Sequence, residues 1–269
     1  MTVAPVPASV SGFDQLVAHV AQALKEIRQV ADRIISTCTA WLAPLGPLAG
    51  ALRKDLAEFA AQIDRVLDAV GKMISDPGRP VTLWQAGQAW LEQVTPQAGN
   101  LVGTLTAAYM EADDAWQGPA ATAYLNTLPA QKDAAAALHE VTGKVGITLQ
   151  ETALTIAAFW LGLLAAVVGL LAQLVGAAAA AATGVGAPPA AVVALTATAR
   201  FLTMLAAMTA AAMAALREIS GNQSTLVMAL TDNAAFPGPP AGNWPVSTTG
   251  RMSDGSMSDG DASDWRLAY

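Results

Sequence analysis

Few residues of this chain have side chains that could catalyse a reaction or bind a metal ion. The chain contains one cysteine, Cys38, and two histidines, His19 and His139. One cysteine cannot form an intramolecular disulfide or a zinc site built from cysteines, and two isolated histidines supply little for acid–base or metal chemistry. Cys38 falls on the apolar face of a predicted helix, which indicates a small buried residue, and both histidines fit helix surfaces.

Two segments carry part of a ligand-binding motif and lack the rest. Gly143-Lys144 ends like a phosphate-binding loop, but Leu138 stands where the first glycine belongs, and no strand is predicted before it. The acidic run from Asp259 starts like a calcium-binding loop, but Asp264 occupies the position of the required glycine. We therefore expect no catalytic residues, no metal site and no cofactor, and the chain is not predicted to be an enzyme.

Composition favours helices and argues against nucleic-acid binding. Hydrophobic residues make up 54% of the 269 residues, mainly through alanine, and charged residues only 13%. Phenylalanine and tyrosine, which favour strands, number five and three. The net charge of −7 opposes the neutralisation of phosphates that a nucleic-acid binder needs. The sequence therefore predicts an all-α protein that does not bind nucleic acid.

Residues 13–78 carry the pattern of an antiparallel helical hairpin. Two stretches space their apolar residues alternately by four and three, which places each set on one helix face. These sets are Phe13, Val17, Val20, Leu24, Ile27, Ala31, Ile34, Cys38 and Trp41, then Leu52, Leu56, Phe59, Ile63, Val66, Val70 and Met73. Proline and glycine in segment 43–47 separate the two helices, and segment 75–78 ends the second. A short turn between such helices favours antiparallel packing.

Residues 79–151 are predicted to form a second helical hairpin. Pro96 fits the first turn of a helix, and Gly118-Pro119 interrupts the helical pattern. We expect Pro129 to kink or break the helix that follows, which resumes at Lys132.

The segment around that interruption resembles a known family. Asp113-Asp114-Ala115-Trp116-Gln117-Gly118-Pro119-Ala120-Ala121 with Tyr124 resembles the Trp-x-Gly turn of WXG helical-hairpin proteins, and more closely the Trp-x-Gly-Pro-Ala form of PPE-type and some Esp-type proteins. These proteins are substrates of actinobacterial type VII (ESX) secretion. The resemblance is closest over residues 81–151. It implies that Trp116 and Gly118 form a turn recognised by the secretion machinery or its chaperone, where glycine permits the tight turn and tryptophan is an apolar anchor.

The same families carry a Tyr-x-x-x-Asp/Glu export motif near the end of a helix. Tyr109 and Asp113 have this spacing and share a helix face, although they precede Trp116 on its own helix. The resemblance implies a second recognition element, and an ordinary exposed helix end is the alternative. Two hairpins often pair in these families, so we expect residues 13–78 and 79–151 to pair within this chain as a WXG-like four-helix bundle.

Residues 152–219 form the most apolar part of the chain. No Asp, Glu, Lys or Arg occurs from Thr152 to Ala199, and Arg200 alone interrupts the run that follows. A turn rich in glycine and proline at 184–189 divides the stretch into a helical hairpin, and each half exceeds the about 20 residues that span a bilayer. Arg200 would be costly at bilayer depth unless it faced a partner or water.

Three glycines in the first half of this hairpin have a regular spacing. Gly162, Gly169 and Gly176 recur at intervals of seven residues, a pattern that lets helices pack closely inside membranes. The pattern predicts a hairpin that contacts membrane lipids and associates with itself. The alternative is the buried core of a soluble helical assembly, where small residues also pack.

The two ends of the chain are predicted to lack compact structure. Residues 1–12 show no signal peptide for the usual export route and are expected to be flexible. Residues 232–269 are rich in proline, glycine, serine and aspartate and are expected to form a disordered acidic tail. Any export would therefore use a route that is independent of a signal peptide.

Together these patterns predict a type VII secretion-associated substrate or effector, secreted or held in the cell envelope. It would combine a WXG-like targeting module with a membrane-interacting hairpin. Two alternatives stay open: a resident integral-membrane or envelope scaffold with no secretion role, and a soluble helical protein that binds a partner.

Overall fold

The protein is helical in the part of the chain that the structure, a computed structural model, describes. That part comprises residues 6–42, 50–105, 116–117, 119–183, 186–232, 234–238, 240, 242–246 and 266–267. The helices are α1 (Ala8–Ser11), α2 (Phe13–Leu42), α3 (Gly50–Ser75), α4 (Pro80–Ala89), α5 (Thr95–Thr104), α6 (Pro119–Ala181) and α7 (Ala187–Leu230), with a π-helical turn at Trp90–Val94. Two short strands, β1 (Trp116–Gln117) and β2 (Arg266–Leu267), pair antiparallel. The predicted all-α class is confirmed.

The chain divides into two compact units. The first consists of Met1–Thr82 and Thr152–Arg217, and the second of Leu83–Glu151 and Glu218–Tyr269. Helices α6 and α7 each have one part in the first unit and the other part in the second.

One hydrophobic core holds the first unit together. Its buried side chains come from α2, from α3, from α6 between Trp160 and Ala181, and from α7 between Ala187 and Leu205. The two apolar faces predicted for α2 and α3 supply most of their share, and Cys38 is buried among them as expected. Burial of each large aliphatic or aromatic side chain contributes about 1.5–3 kcal/mol, so this core stabilises the packing of α6 against α7 and of both against α2 and α3.

The first hairpin packs against a different partner from the one predicted. Residues 13–78 share their core with residues 160–205, while residues 83–151 belong to the second unit. The expected four-helix bundle of residues 13–78 with 79–151 is therefore replaced by one built from α2, α3 and the apolar parts of α6 and α7. An apolar helix face specifies that it must be buried but not by what, and the uncharged hairpin offers a long apolar surface.

The ends of the first hairpin show two further differences. Trp41, predicted on the apolar face of α2, is 48% exposed, because Leu42 takes the last buried position of the helix. Residues 8–11, expected to be flexible, form α1 and bury Val10 completely. The predicted end of the second helix at Ser75 is confirmed.

Of the kink or break expected at Pro129, the break is wrong and the kink stays a prediction. Helix α6 continues through the proline, although the ring removes one backbone hydrogen bond. In the second unit Leu128 and Ala135 lie in a small core with Leu105, against which Tyr124 packs. This packing on both sides of the proline offsets the lost hydrogen bond.

The start of the predicted tail is packed chain in the second unit. Trp244 packs against the small core around Leu128, and Phe236 is buried. The Gln131 side-chain amide donates a hydrogen bond to the carbonyl oxygen of Pro245 at 2.9 Å. Residues 247–265 lie outside the described residues.

Helices α4 and α6 approach each other closely in the second unit. A Cβ atom placed on Gly87 would lie 2.7 Å from the carbonyl oxygen of Gly146 and 2.8 Å from Cγ of Gln150. A Cβ atom on Gly146 would in turn lie 2.6 Å from Cγ of Leu91. Both glycines are therefore required by the crossing, because a side chain at either position would push the helices apart.

We expect Gly87→Ala to destabilise the protein by about 1–3 kcal/mol, because the added methyl group would overlap a backbone oxygen that cannot rotate away. Gly143→Ala is the matched control in the same unit, since its Cβ would meet only Cγ2 of Thr95 at 3.7 Å. That change should be neutral or stabilise by up to about 1 kcal/mol. Urea unfolding followed by circular dichroism measures the free energy of unfolding of both variants. Equal changes for Gly87→Ala and Gly143→Ala would contradict the close crossing of α4 and α6.

Candidate functional site

The hairpin formed by the first-unit parts of α6 and α7 exposes apolar side chains along its length. We call this set the outer face. Its large members are between 40% and 51% exposed: Leu154, Leu161, Val168 and Val175 on α6, and Val192, Val193, Met204 and Met213 on α7. The four on α6 recur every seven residues, about two helical turns, so they lie on one side of the helix.

Both helices of the hairpin are long and apolar enough to cross a membrane. Length and composition alone also fit the core helix of a soluble protein, which is mostly buried. Here only 28% of the most apolar stretch of α6 and 33% of that of α7 is buried. The hairpin is therefore covered on one side and exposed on the other.

The covered side of the hairpin, which we call the inner face, packs against α2 and α3. Its fully or nearly fully buried members are Trp160, Leu163, Val167, Leu170 and Leu174 on α6, and Ala191, Ala194, Thr198, Phe201 and Leu205 on α7. Thr198 donates its hydroxyl hydrogen bond to the Ala194 carbonyl oxygen at 2.8 Å, so it carries no unpaired donor into the core.

The opposite surface of α2 and α3 is charged. Arg28 on α2 donates from Nη1 to Oδ1 of Asp64 on α3 at 2.6 Å, and its Nε lies 3.7 Å from Oδ2 of Asp32. Lys72 pairs with Asp68 on α3 at 2.8 Å. These pairs are largely exposed and each contributes about 1 kcal/mol or less. The first unit therefore has two unlike sides, one charged and one apolar.

A groove of about 420 Å³ lies between α6 and α7, and Met204 of the outer face is among the residues that line it. Its lining includes Gly162, Ala165, Gly169, Gln173, Arg200 and Met204. The small residues on α6 leave the space, and Gln173 and Arg200 are the polar side chains in it. No acidic residue occurs on the hairpin between Thr152 and Leu216 to neutralise Arg200.

The three glycines predicted to pack helices lie in different surroundings. A Cβ atom on Gly162 would come within 2.8 Å of Cε of Met208 on α7, so this glycine allows a close contact inside the hairpin. A Cβ atom on Gly169 or Gly176 would meet nothing within 4 Å. These two glycines face open space, and their role in packing against another molecule stays a prediction.

The residues predicted for secretion lie almost entirely outside the described part of the chain. Only the backbone of Trp116 is described, in β1, where it pairs with Leu267 of β2. Tyr109, Asp113 and Gly118 lie outside the described residues. The roles of all four stay predictions.

Sequence reasoning missed the residues that connect the inner face to its cover. The indole nitrogen of Trp160 donates a hydrogen bond to the Pro77 carbonyl oxygen at 3.1 Å, and its ring meets that of Phe13 edge to face, with centroids 5.9 Å apart. Gln62 lies on the apolar side of α3, is 8% exposed, and its Oε1 has no hydrogen-bond donor. The sequence signal for this contact is a tryptophan within a run of alanine and leucine, because a buried indole N–H needs a hydrogen-bond acceptor.

The part of the chain that the structure describes holds no group of three or more His, Cys, Asp or Glu side chains that could bind a metal ion.

The Cys38 thiol lies 3.6 Å from the Ala187 carbonyl oxygen of α7, and burial raises its pKa above the ordinary value. On the surface of the second unit, Lys144 donates to Glu140 and holds the pKa of that exposed carboxyl below its usual range.

The fold and site define a class: an all-α protein in which two long apolar helices pack together and are covered on one face by an amphipathic helical hairpin. No protein-family model, curated protein or solved structure matches the chain.

We expect the Cys38 thiol to react at least about a hundredfold more slowly with a thiol reagent at pH 7.5 than an exposed cysteine does. The thiolate is the reactive form, and burial both blocks access and raises the pKa. Because the folded-state pKa is raised, the stability that the neutral thiol contributes is present at neutral pH and is lost as the pH rises above about 9.

Absorbance at 412 nm with a disulfide reagent measures the rate of this reaction. The control is Ser36→Cys in a Cys38→Ala background, which places the thiol on the exposed side of α2. Rapid modification of Cys38 in the folded protein would contradict the packing of α2 on α7.

Proposed function

We propose that this protein is a type VII secretion-associated substrate or effector whose apolar hairpin engages a membrane after export. The single observation that carries the membrane half is the outer face, an exposed apolar surface that runs along two membrane-length helices. Monomeric soluble proteins rarely expose apolar surface continuously, and such surfaces mark partner or membrane contacts.

The secretion half rests on the resemblance at residues 113–124. A Trp-x-Gly-Pro-Ala segment between predicted helices is the feature shared with WXG, PPE-type and Esp-type proteins, and the helical pattern of the sequence around it supports the proposal. In this proposal Trp116 and Gly118 bind the secretion machinery or its chaperone, and Tyr109 with Asp113 forms a second contact.

Charge supports a defined orientation at the bilayer. The outer face carries one cation, Arg200, whereas the opposite side of the unit carries the ion pairs of α2 and α3. Charged groups are costly in hydrocarbon, so the outer face would meet lipid while α2 and α3 stayed in water.

A resident membrane protein is the second candidate, favoured by the same two helix lengths. It predicts a membrane pool that does not depend on the secretion ATPase.

The third candidate, a soluble partner-binding protein, is favoured by the groove around Arg200, which could accept a helix with an acidic side chain. It predicts a monomer or dimer that does not bind lipid vesicles.

We expect Trp116→Ala to abolish export of the full chain in its native host, because the apolar anchor of the recognised turn is lost. Quantitative immunoblotting of the culture medium, soluble lysate and alkali-washed membranes measures the distribution, in strains with and without the type VII motor ATPase. We expect at least tenfold less of the Trp116→Ala variant than of the unchanged protein in the medium. The unchanged protein should show the same loss in the strain without the ATPase.

Trp41→Ala is the matched control for this experiment, since Trp41 is an exposed tryptophan in the other hairpin. Its export should equal that of the unchanged protein, and circular dichroism should show that both variants fold. An alkali-resistant membrane pool that is the same with and without the ATPase would overturn the secretion half of the proposal.

We expect Arg200→Leu to increase binding to phosphatidylcholine vesicles by about tenfold or more. An arginine near the centre of a span costs about 2.5–3.5 kcal/mol on insertion scales, and its removal lowers that cost. Arg33→Leu, on the exposed side of α2, is the control with the same chemical change. Flotation with the vesicles measures binding, and equal gains for both variants would contradict contact between the outer face and hydrocarbon.

A further inference from the structure

Helix α2 covers the inner face of the apolar hairpin from one end to the other. Phe13 at its start contacts Trp160 near the base of the hairpin, with ring centroids 5.9 Å apart. Cys38 near its end contacts the Ala187 carbonyl oxygen at the tip of the hairpin, where α7 begins. At 1.5 Å per residue these two contacts lie about 38 Å apart along α2. Helix α3 adds a second row of buried side chains, including Phe59, to the same core.

This covered arrangement cannot cross a bilayer as it stands. A membrane span must be surrounded by lipid or by protein that is itself compatible with lipid. The exposed side of α2 and α3 carries Arg28, Asp32, Asp64 and other charged groups, and these would be stripped of water in hydrocarbon. The hairpin can therefore be surrounded by lipid only after α2 and α3 have left its inner face.

We propose that the hairpin of α2 and α3 is a removable cover, closed over the inner face in water and displaced when the apolar hairpin enters a bilayer. This inference rests on the membrane step of the proposed function and adds its regulation. The covered form is the one that stays soluble, and lipid replaces the cover at the inner face.

The chemistry of the contact allows this replacement. The inner face is lined by alanine, leucine, valine and aromatic side chains, for which lipid tails are as good a neighbour as α2 and α3. Once displaced, α2 and α3 keep one apolar and one charged side, which suits helices lying in the membrane interface. The exchange therefore leaves no large apolar surface in water.

One buried group weakens the closed state. Oε1 of Gln62 is buried in the first unit without a donor, and such an orphaned acceptor disfavours the state that buries it. The connection after α3 contains Gly78, whose φ of 83° is a left-handed conformation that other residues rarely adopt.

A disulfide across the contact tests the cover in the full-length protein. Ala187→Cys places a second thiol beside Cys38, and oxidation would tie α2 to α7. Arg28→Cys with Asp64→Cys in a Cys38→Ala background, oxidised with a short dithiol that forms one disulfide with each thiol and replaces the length of the arginine side chain, is the matched control, since it ties α2 to α3 and leaves the cover free to move as one body. Non-reducing gels and mass spectrometry confirm each bond.

Insertion into phosphatidylcholine vesicles is measured as the fraction that floats with the vesicles after an alkaline wash. We expect the oxidised Cys38–Ala187→Cys protein to lose at least tenfold in insertion and to recover on reduction. The oxidised control should insert as well as the unchanged protein. Equal insertion of all oxidised and reduced forms would overturn the cover and leave the proposed function intact.

Failure of the unchanged protein to insert is a different result. It would overturn the membrane step of the proposed function, and the cover would fall with it. If the reduced protein inserts and both oxidised proteins fail, opening requires α2 and α3 to separate from each other, which would overturn displacement of the cover as one body.

A distance measurement tests the same inference without a new bond. Lys25→Cys on α2 and Ala172→Cys on α6, in a Cys38→Ala background, place spin labels on exposed positions of the cover and the hairpin. Pulsed electron resonance should give one narrow distance in water and a longer, broader distribution in the vesicle-bound fraction. An unchanged distance in protein that resists the alkaline wash would overturn the cover.

Discussion

The constraint on which this structure depends is the absence of charge from Thr152 to Ala199. Two helices of this composition are not stable with apolar side chains facing water on all sides. In this chain they are covered on one side only, the inner face. Helices α2 and α3 turn their apolar rows to the inner face and their ion pairs to solvent. The first unit is therefore held together by one core that α2, α3 and the hairpin share.

This dependence explains how much of the fold could be predicted. The spacing of apolar residues gave the hairpin of residues 13–78, its end at Ser75 and the burial of Cys38, because a heptad pattern defines the side of a helix that must be buried. It could not give the partner, because a burial requirement is met equally by any apolar surface of suitable length. Residues 160–205 supplied that surface, where residues 79–151 had been expected.

Other differences have local physical causes. Gln62 stands on the buried side of α3 among hydrophobic neighbours, and a pattern of apolar positions cannot reveal a polar exception. A kink or break is expected at Pro129, yet packing around Leu128 and Ala135 keeps the helix continuous at the cost of one hydrogen bond. Of the candidate site, the apolar hairpin could be identified in advance, whereas the contacts of Trp160 depend on residues distant in sequence. The Trp-x-Gly segment remains a prediction from sequence alone.

The two halves of the proposed function place opposite demands on one chain, and the cover reconciles them. A protein exported before it meets its membrane must travel through water, where an uncovered hairpin of this length would associate nonspecifically through both faces. Covering the inner face within the same chain removes one of the two apolar surfaces from that risk and needs no separate chaperone for it. The outer face stays exposed and makes the first contact with lipid. The contact between cover and hairpin is mainly apolar, so the bilayer can take the cover's place without leaving a row of polar groups unpaired.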